Sequence, residues 1–199
     1  MYRSPTSALS AFVLLLLVYA SPAVAANPEI FVKGLGDKAI ASLNEQGISQ
    51  DERIKRFQSL LNDAFDLPQI ARFTLGRYWR VATDAEKTEF VEVFEKFVIQ
   101  TYSARFQDLS GKKLTVTQSR EVSATQTLVL SEILIPGKPS IKINWRVHSK
   151  DTQHKIVDVM VQGISMSVTQ RDEFAAVIRQ TGGKVGGLIK ALRRKTASN

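Results

Sequence analysis

Side chains that commonly carry catalysis are scarce in this chain of 199 residues. It has no cysteine, which excludes a cysteine nucleophile, a disulfide scaffold and an iron–sulfur site. The only two histidines, His148 and His154, are too few for a His-rich metal site. Each alternates with lysine or arginine along a predicted strand, so we expect both to lie on a solvated surface.

Serine and aspartate are the remaining candidates for catalytic chemistry. Residues 163–167 contain two serines, but a serine nucleophile needs a positioned base, and no histidine lies nearby in the sequence. Nucleophile-elbow, phosphate-loop and dinucleotide-binding motifs are absent from the sequence. Asp158 lies between two valines in an apolar segment, where a buried acid could act as a general base. The alternative, which we favour, is an outward-facing Asp158 paired with Arg146 or Lys155.

The first 25 residues have the features of a secretory signal peptide. Arg3 supplies a positive start, residues 8–19 form an apolar run, and Ala23-Val24-Ala25 is a small-x-small cleavage site. The run is shorter than the roughly 20 residues that span a bilayer comfortably, although an uncleaved anchor is the alternative. We predict cleavage after Ala25, which leaves residues 26–199 as a single domain exported beyond the inner membrane.

The first half of this mature chain has apolar residues at helical spacing. Ser49–Glu52 and Thr83–Glu86 are capping boxes, which mark the start of a helix. Pro28 and Pro68 are placed where proline is tolerated, in the first turn of a helix. The predicted helices run from Asn27 to Gly47, from Ser49 to Phe65, from Pro68 to Gly76 and from about Asp84 to Leu109.

The second half changes to the two-residue period of strands and then returns to helix. Residues 141–147 alternate strictly between apolar and polar, which predicts one buried and one wet face. Four strands joined by short turns predict an antiparallel meander, and helices on both sides of it in the sequence predict an α+β domain. The predicted strands are Leu114–Gln118, Thr127–Ile135, Ile141–His148 and Ile156–Val161, followed by helices Phe174–Thr181 and Val185–Leu192.

A series of short motifs follows a fixed order through nearly the whole mature chain. They are Gly76-Arg77-Tyr78-Trp79-Arg80, Asn144-Trp145-Arg146, the segment 158–166, Gln170-Arg171-Asp172-Glu173-Phe174 and Gly182-Gly183. Their order and spacing resemble those of the toluene-tolerance family, the MlaC-like periplasmic phospholipid-binding proteins. A sister branch, encoded beside hopanoid-synthesis enzymes, shares the pattern.

The resemblance implies a fold, a function and partners. The implied fold is a twisted antiparallel sheet with helices packed over it and an apolar cavity between them. The implied function is that of a periplasmic carrier, not an enzyme, whose ligand is a phospholipid or, in the sister branch, a hopanoid-type lipid, with no other cofactor. The implied partners are an outer-membrane lipoprotein complex and an inner-membrane ABC transporter complex. We expect a monomer that binds no nucleic acid, because the chain carries an export signal.

Aromatic and aliphatic side chains of the long helix and the sheet are the expected walls of such a cavity. Phe73, Tyr78 and Trp79 form either its rim or only the packing of the short helix. A filled core in a periplasmic adaptor, or a small enzyme that uses Asp158, would be the alternative to a lipid site. The expected lipid-binding residues are Phe73, Tyr78, Trp79, Phe90, Phe94, Phe97, Tyr102, Trp145, Val147, Val159, Val161, Ile164 and Met166.

The basic excess of the chain is concentrated at its end. The formal net charge is +8, and residues 171–199 contain seven basic and two acidic side chains. Arg193, Arg194 and Lys195 follow the last apolar stripe, where cations favour a helix C-terminus. The same cluster is suited to anionic lipid head groups or to an acidic partner, and we expect it to make a partner or head-group contact.

Overall fold

The computed structural model describes residues 27–103, 112–135 and 137–197. The predicted signal peptide lies outside these residues, as do the last six positions of the predicted long helix. In the described part of the chain, no helix is both long enough and apolar enough to cross a lipid bilayer. The elements are α1 (Pro28–Leu43), α2 (Gln50–Ala64), α3 (Leu67–Leu75), a 3-10 helix (Gly76–Arg80), α4 (Asp84–Ser103), β1 (Leu114–Ser123), β2 (Gln126–Ile135), β3 (Lys138–Lys150), β4 (Gln153–Val161), β5 (Ile164–Ser165), α5 (Met166–Gln180) and α6 (Val185–Ala197).

The predicted caps define where the helices begin. Ser49 Oγ accepts the amide of Glu52 at 3.1 Å at the start of α2. Thr83 and Glu86 form a reciprocal box at α4, with a Glu86 amide to Thr83 Oγ1 distance of 3.2 Å and a Thr83 amide to Glu86 Oε2 distance of 3.0 Å. These bonds satisfy amides that have no partner within the helix. The structure therefore confirms the capping box at Thr83–Glu86, and at Ser49 it shows the N-cap bond, while the Glu52 carboxylate pairs with Arg56.

The sheet is the predicted antiparallel meander with one strand added. Its order is β1-β2-β3-β4-β5, so each strand pairs with the next along the chain. The two-residue strand β5 returns from β4 through Gln162 and Gly163, which have φ of +50° and +83°. Positive φ at both positions is typical of a two-residue hairpin turn, and Gly163 adopts it without steric cost.

Buried apolar residues form two separate clusters rather than one core. The helical cluster includes Phe57, Phe90 and Leu188 and is built from helices alone. The sheet cluster packs Val32 of α1 against Val129 and neighbouring residues on one face of the sheet. Helix α1 contributes to both clusters and so connects the helix layer to the sheet.

The two layers are joined at their edges. The amide of Asp66, at the start of α3, donates to the Ile156 carbonyl of β4 at 3.0 Å. Beside it, Lys155 Nζ donates to the carbonyls of Asn62 and Asp63 at the end of α2, at 3.0 and 2.8 Å. Carbonyls at a helix C-terminus lack helical partners and favour a cation there. These bonds fix the end of α2 and the start of α3 to β4.

Hydrogen bonds to the side chain of Asp158 also connect β4 to the start of α5. Its carboxylate accepts the Ser165 hydroxyl at 2.7 Å and the Ser167 amide at 3.1 Å, and only 8% of the residue is exposed. The expectation that Asp158 faces outward and pairs with Arg146 or Lys155 is therefore wrong. The expectation rested on the general exposure of charged side chains, and it did not anticipate that the start of α5 supplies two hydrogen-bond donors to this carboxylate.

Gly36 allows α1 to approach β1 closely, and Gly34 provides a matched control. A Cβ at Gly36 would lie 2.5 Å from Leu114 Cδ2, whereas one at Gly34 would meet nothing within 4 Å. We expect Gly34→Ala to raise the free energy of unfolding by about 0.5–1 kcal/mol through helix propensity. We expect Gly36→Ala to lower it by about 1–3 kcal/mol through overpacking. Urea unfolding of both variants measures the difference, and equal stabilities would contradict the close approach.

Substitution of Asp158 tests its role at the start of α5. We expect Asp158→Ala to lower the free energy of unfolding by about 1–3 kcal/mol, because the Ser167 amide loses its buried acceptor. Asp158→Asn keeps one acceptor oxygen and should lose less. Thermal and urea unfolding followed by circular dichroism give both values. An alanine variant as stable as the wild type would show that this join is dispensable.

Candidate functional site

A cavity of about 440 Å³ separates the helix layer from the sheet. Ligand pockets in proteins commonly measure about 300–1,000 Å³. The residues that line it come from five helices, the α2–α3 junction and four strands: Leu35, Gly36, Ala39, Ile40, Leu43, Phe57, Leu60, Leu61, Phe65, Leu67, Ile70, Thr74, Phe94, Val98, Tyr102, Leu114, Ile133, Ile141, Ile143, Trp145, Asp158, Val159, Val161, Met166, Ser167 and Gln170.

The sheet wall of the cavity follows from strand alternation. Ile141, Ile143 and Trp145 are spaced by two on β3 and therefore point to one face. Across the β3–β4 pair, Trp145 opposes Val159 and Ile143 opposes Val161, so the apolar face continues onto β4. All five side chains remain partly accessible although they face inward, because the space in front of them is the cavity.

Polar side chains are confined to one side of the cavity. Outside the aromatic rings, the polar lining residues in the described ranges are Thr74, Asp158, Ser167 and Gln170, from α3, β4 and α5. Thr74 Oγ1 donates to the Ala71 carbonyl at 2.9 Å, so its proton is already used within α3. Gln170 Nε2 donates to the Glu173 carboxylate at 2.9 Å.

The indole nitrogen of Trp145, on the sheet wall, also has a partner within the protein. It donates to Ser131 Oγ at 2.9 Å, and Ser131 donates in turn to the Ile143 carbonyl at 2.6 Å. Among the described residues, no lysine or arginine lines the cavity. The cavity is therefore suited to an apolar ligand, with one side able to face a polar group.

Six of the thirteen predicted lipid-site residues line this cavity. They come from α4, from strands β3 and β4 and from the start of α5, so the structure brings together side chains up to 72 positions apart along the chain. They are Phe94, Tyr102, Trp145, Val159, Val161 and Met166. Whether they contact a lipid remains a prediction.

Phe90 and Phe97 are predicted lining residues that lie in the helical cluster instead. Their ring centroids are 5.8 and 5.9 Å from that of Phe174 on α5, and both are buried. The apolar face of α4 is broad because the helix contacts two surfaces. One side, with Phe94 and Tyr102, lines the cavity, while the other packs on α5.

Val147 and Ile164 are also outside the cavity. Val147 is fully buried in the sheet cluster with Val32, because the first turns of α1 cover that end of the sheet. Ile164 lies in β5 and is 60% exposed, although Met166, two residues later, lines the cavity. The prediction placed both residues in the walls because it had no means of locating α1 or β5.

Phe73 is exposed on α3, whereas Tyr78 of the 3-10 helix is buried in the helical cluster and Trp79 packs against that cluster. A cation covers each ring: Arg171 Cζ is 5.1 Å from the Phe73 centroid and Arg77 Cζ is 5.0 Å from that of Tyr78. Lys87 lies 5.9 Å from the Trp79 ring. None of the three lines the cavity, so the structure favours local packing over a cavity rim.

Sequence reasoning missed the contribution of α1 and α2 to the walls. Leu35 and Ala39 of α1 and Leu60 of α2 line the cavity, but their apolar stripes do not reveal which partner they face. Ile141 and Ile143 did carry a usable signal, because they share a strand face with Trp145, which was predicted.

The basic cluster at the end of α6 lies outside the cavity lining and contacts α4. Arg193 Nη2 is 2.8 Å from Glu89 Oε1, and Lys195 Nζ is 5.0 Å from the Phe97 ring centroid. These contacts add the docking of α6 on α4 to the three roles expected for Arg193, Arg194 and Lys195. All three side chains remain exposed.

The histidines are less solvated than expected. His154 lies with its ring centroid 5.6 Å from that of Phe31 on α1, and its Nδ1 is 2.8 Å from Ser149 Oγ. The Nδ1 atom of His148 is buried and has no hydrogen-bond partner. Neither histidine lines the cavity.

Comparison with known proteins places the fold and the cavity in context. The model of the MlaC protein family matches residues 33–194. The phospholipid-binding protein from Ralstonia solanacearum, solved in complex with a phospholipid, aligns with a TM-score of 0.78 at 22% sequence identity, over 87% of this chain and 98% of that one. This likeness shows that the two proteins share their α+β fold. Because the family model covers most of the sequence, the chain belongs to the MlaC family, as its motifs predicted.

Proposed function

We propose that this protein is a lipid carrier that holds phospholipid acyl chains in the cavity between sheet and helices. The observation that carries the proposal is the division of the core into two clusters with an apolar space between them. Apolar walls that stay in contact with water forgo about 25 cal/mol for each Å² that could otherwise be buried. A bound apolar ligand would cover these walls, which accounts for a fold that leaves them uncovered by its own side chains.

Acyl chains match the walls of the cavity in both polarity and energy. Exposing a chain of about 14 methylenes to water costs on the order of 11 kcal/mol, which a carrier has to offset. Walls of aliphatic and aromatic side chains without lysine or arginine can do this in the described part of the site. The phospholipid bound by the related Ralstonia protein supports the same class of ligand here.

We further propose that the carrier works in the periplasm, between an outer-membrane lipoprotein complex and an inner-membrane ABC transporter complex. Membership of the MlaC family and the predicted signal peptide support this location and these partners. The proposal includes cleavage after Ala25 and a monomeric carrier, because one domain already encloses the cavity.

The contacts of Asp158 favour a binding protein over an enzyme. Both carboxylate oxygens accept hydrogen bonds at the start of α5, from Ser165 and Ser167. These bonds hold the start of α5 against β4, and this structural role accounts for a buried carboxylate without a catalytic one. We therefore assign no catalytic residue.

A charge on the sheet wall should expel the lipid. Val159→Arg places a guanidinium where acyl chains should lie, at a cost of several kcal/mol if it stays buried. Met160→Arg is the matched control, because the neighbouring side chain does not line the cavity. Native mass spectrometry of protein purified without detergent should find lipid on the wild type and on the control, and none on folded Val159→Arg.

A second variant, which introduces no charge, tests the same cavity if Val159→Arg does not fold. Ala39→Phe fills the cavity from α1 and should reduce the bound lipid without introducing a charge. Lipid still bound in stoichiometric amounts to folded Val159→Arg would remove this cavity from the proposal. The mass of the ligand also distinguishes a phospholipid from a hopanoid-type lipid.

The basic cluster of α6 should act in docking and not in lipid retention. Charge reversal of Arg193, Arg194 and Lys195 should slow lipid transfer to the partner complexes and flatten its salt dependence, because electrostatic steering is screened by salt. Lipid content should be unchanged, since none of the three lines the cavity.

Reversal of Lys138, Lys142 and Lys150, which are exposed on β3, gives the same net charge and is the control. Equal slowing by both triple variants would mean that only net charge matters.

A further inference from the structure

An exposed apolar patch lies at the end of the molecule where α3, β5 and α5 meet. Phe73, Ile164 and Val168 are 42%, 60% and 37% exposed, and exposed apolar side chains that lie together mark interaction sites. Val168 and Arg171 are three residues apart and therefore share a face of α5. Arg171 lies 5.1 Å from the Phe73 ring, which connects the two helices. We call Phe73, Ile164, Val168 and Arg171 the end patch.

The end patch is continuous with the polar side of the cavity. Met166, Ser167 and Gln170 line the cavity and alternate along the chain with Val168 and Arg171, which do not. The first turns of α5 therefore present one face to the cavity and another to the surface. On α3, the cavity-lining Thr74 directly follows the exposed Phe73 in the same way.

Three arginines and two acidic residues lie in or around the end patch, which gives this surface a net charge of +1. Arg72 and Arg77 are exposed on α3 and the 3-10 helix, next to Phe73 and Arg171. Two carboxylates lie nearby: Asp172 is 3.5 Å from Arg171, and Glu173 accepts a hydrogen bond from Gln170. Exposed apolar side chains among arginines are typical of surfaces that bind anionic bilayers, where the apolar groups enter the interface and the cations meet phosphate.

We propose that the end patch contacts the surface of an anionic bilayer, and that lipid passes between the membrane and the cavity alongside the first turns of α5. The inference rests on the proposed carrier function and adds the surface from which the lipid is collected. It also gives the polar side of the cavity a role, because a lipid arriving this way keeps its head group beside Ser167 and Gln170.

Vesicle flotation of the mature protein tests the bilayer contact. Vesicles of equal parts phosphatidylglycerol and phosphatidylcholine are compared with vesicles of phosphatidylcholine alone. Wild-type protein should bind the anionic vesicles. Arg171→Gln should weaken binding about five-fold, which corresponds to about 1 kcal/mol for a basic residue at a membrane surface. Val168→Asp should weaken it at least as much.

Two control variants and a second measurement make the result decisive. Val122→Asp, on a β1 residue that is 47% exposed, and Lys142→Gln on β3 should bind like the wild type. Native mass spectrometry should find unchanged lipid on Val168→Asp and Arg171→Gln. Equal binding by Val168→Asp and Val122→Asp would overturn the inference. Loss of lipid from folded Val168→Asp would do so as well, by placing that residue in the lipid site.

Measurements on the wild-type protein distinguish a failure of the bilayer contact from a failure of the proposed carrier function. Wild-type protein that carries lipid but floats with neither vesicle type would overturn the bilayer contact and leave the carrier function intact. Wild-type protein that carries no lipid would overturn the carrier function itself.

Discussion

The structure depends on the separation of its two layers: the apolar face of the sheet and the apolar faces of the helices do not bury one another where the cavity lies between them. In an ordinary α+β domain, these two surfaces close into a single core. Here they form two clusters, each packed on its own, with the cavity between them. Side chains such as Ile143 and Val98 are partly accessible inside the molecule for this reason alone.

The layers are held apart by contacts at their edges, and several of these contacts are polar. Hydrophobic attraction has no preferred distance and would favour collapse of the cavity. Hydrogen bonds have fixed lengths and directions, so the bonds of Asp66 and Lys155 to backbone across the layers, and those of Asp158 to α5, set the spacing. At the opposite edge of the sheet, the absence of a side chain at Gly36 allows α1 to pack directly on Leu114 of β1.

Much of the fold could be predicted from the sequence because its signals are local. The capping box at Thr83–Glu86 and the alternation along β3 depend on neighbours within a few residues, and both appear as predicted. The cavity walls could not be assigned in the same way. Phe90 and Phe94 lie one helical turn apart on α4 and both contact the Phe174 ring, yet only Phe94 also lines the cavity. The walls therefore depend on where elements up to about 80 residues further along the chain are placed.

Asp158 shows the second limit, because its partners lie in a helix that the residue pattern does not place. An acid between valines in an apolar strand suggests either a surface ion pair or a catalytic group. Here β5 returns beside β4, and the carboxylate accepts hydrogen bonds at the start of α5. The feature is structural, and it became apparent only when the partner helix could be located.

A carrier has to remain folded both with and without its ligand, and the two-cluster arrangement provides for this. The helical cluster contains residues of all six helices and includes the rings of Phe90 and Phe174, neither of which lines the cavity. The sheet is held by its own hydrogen-bonded meander and by Val32 of α1. Loss of the ligand therefore exposes the cavity walls without removing a contact on which either layer depends. Packing outside the cavity then stabilises the fold, so folding does not require the free energy of lipid binding.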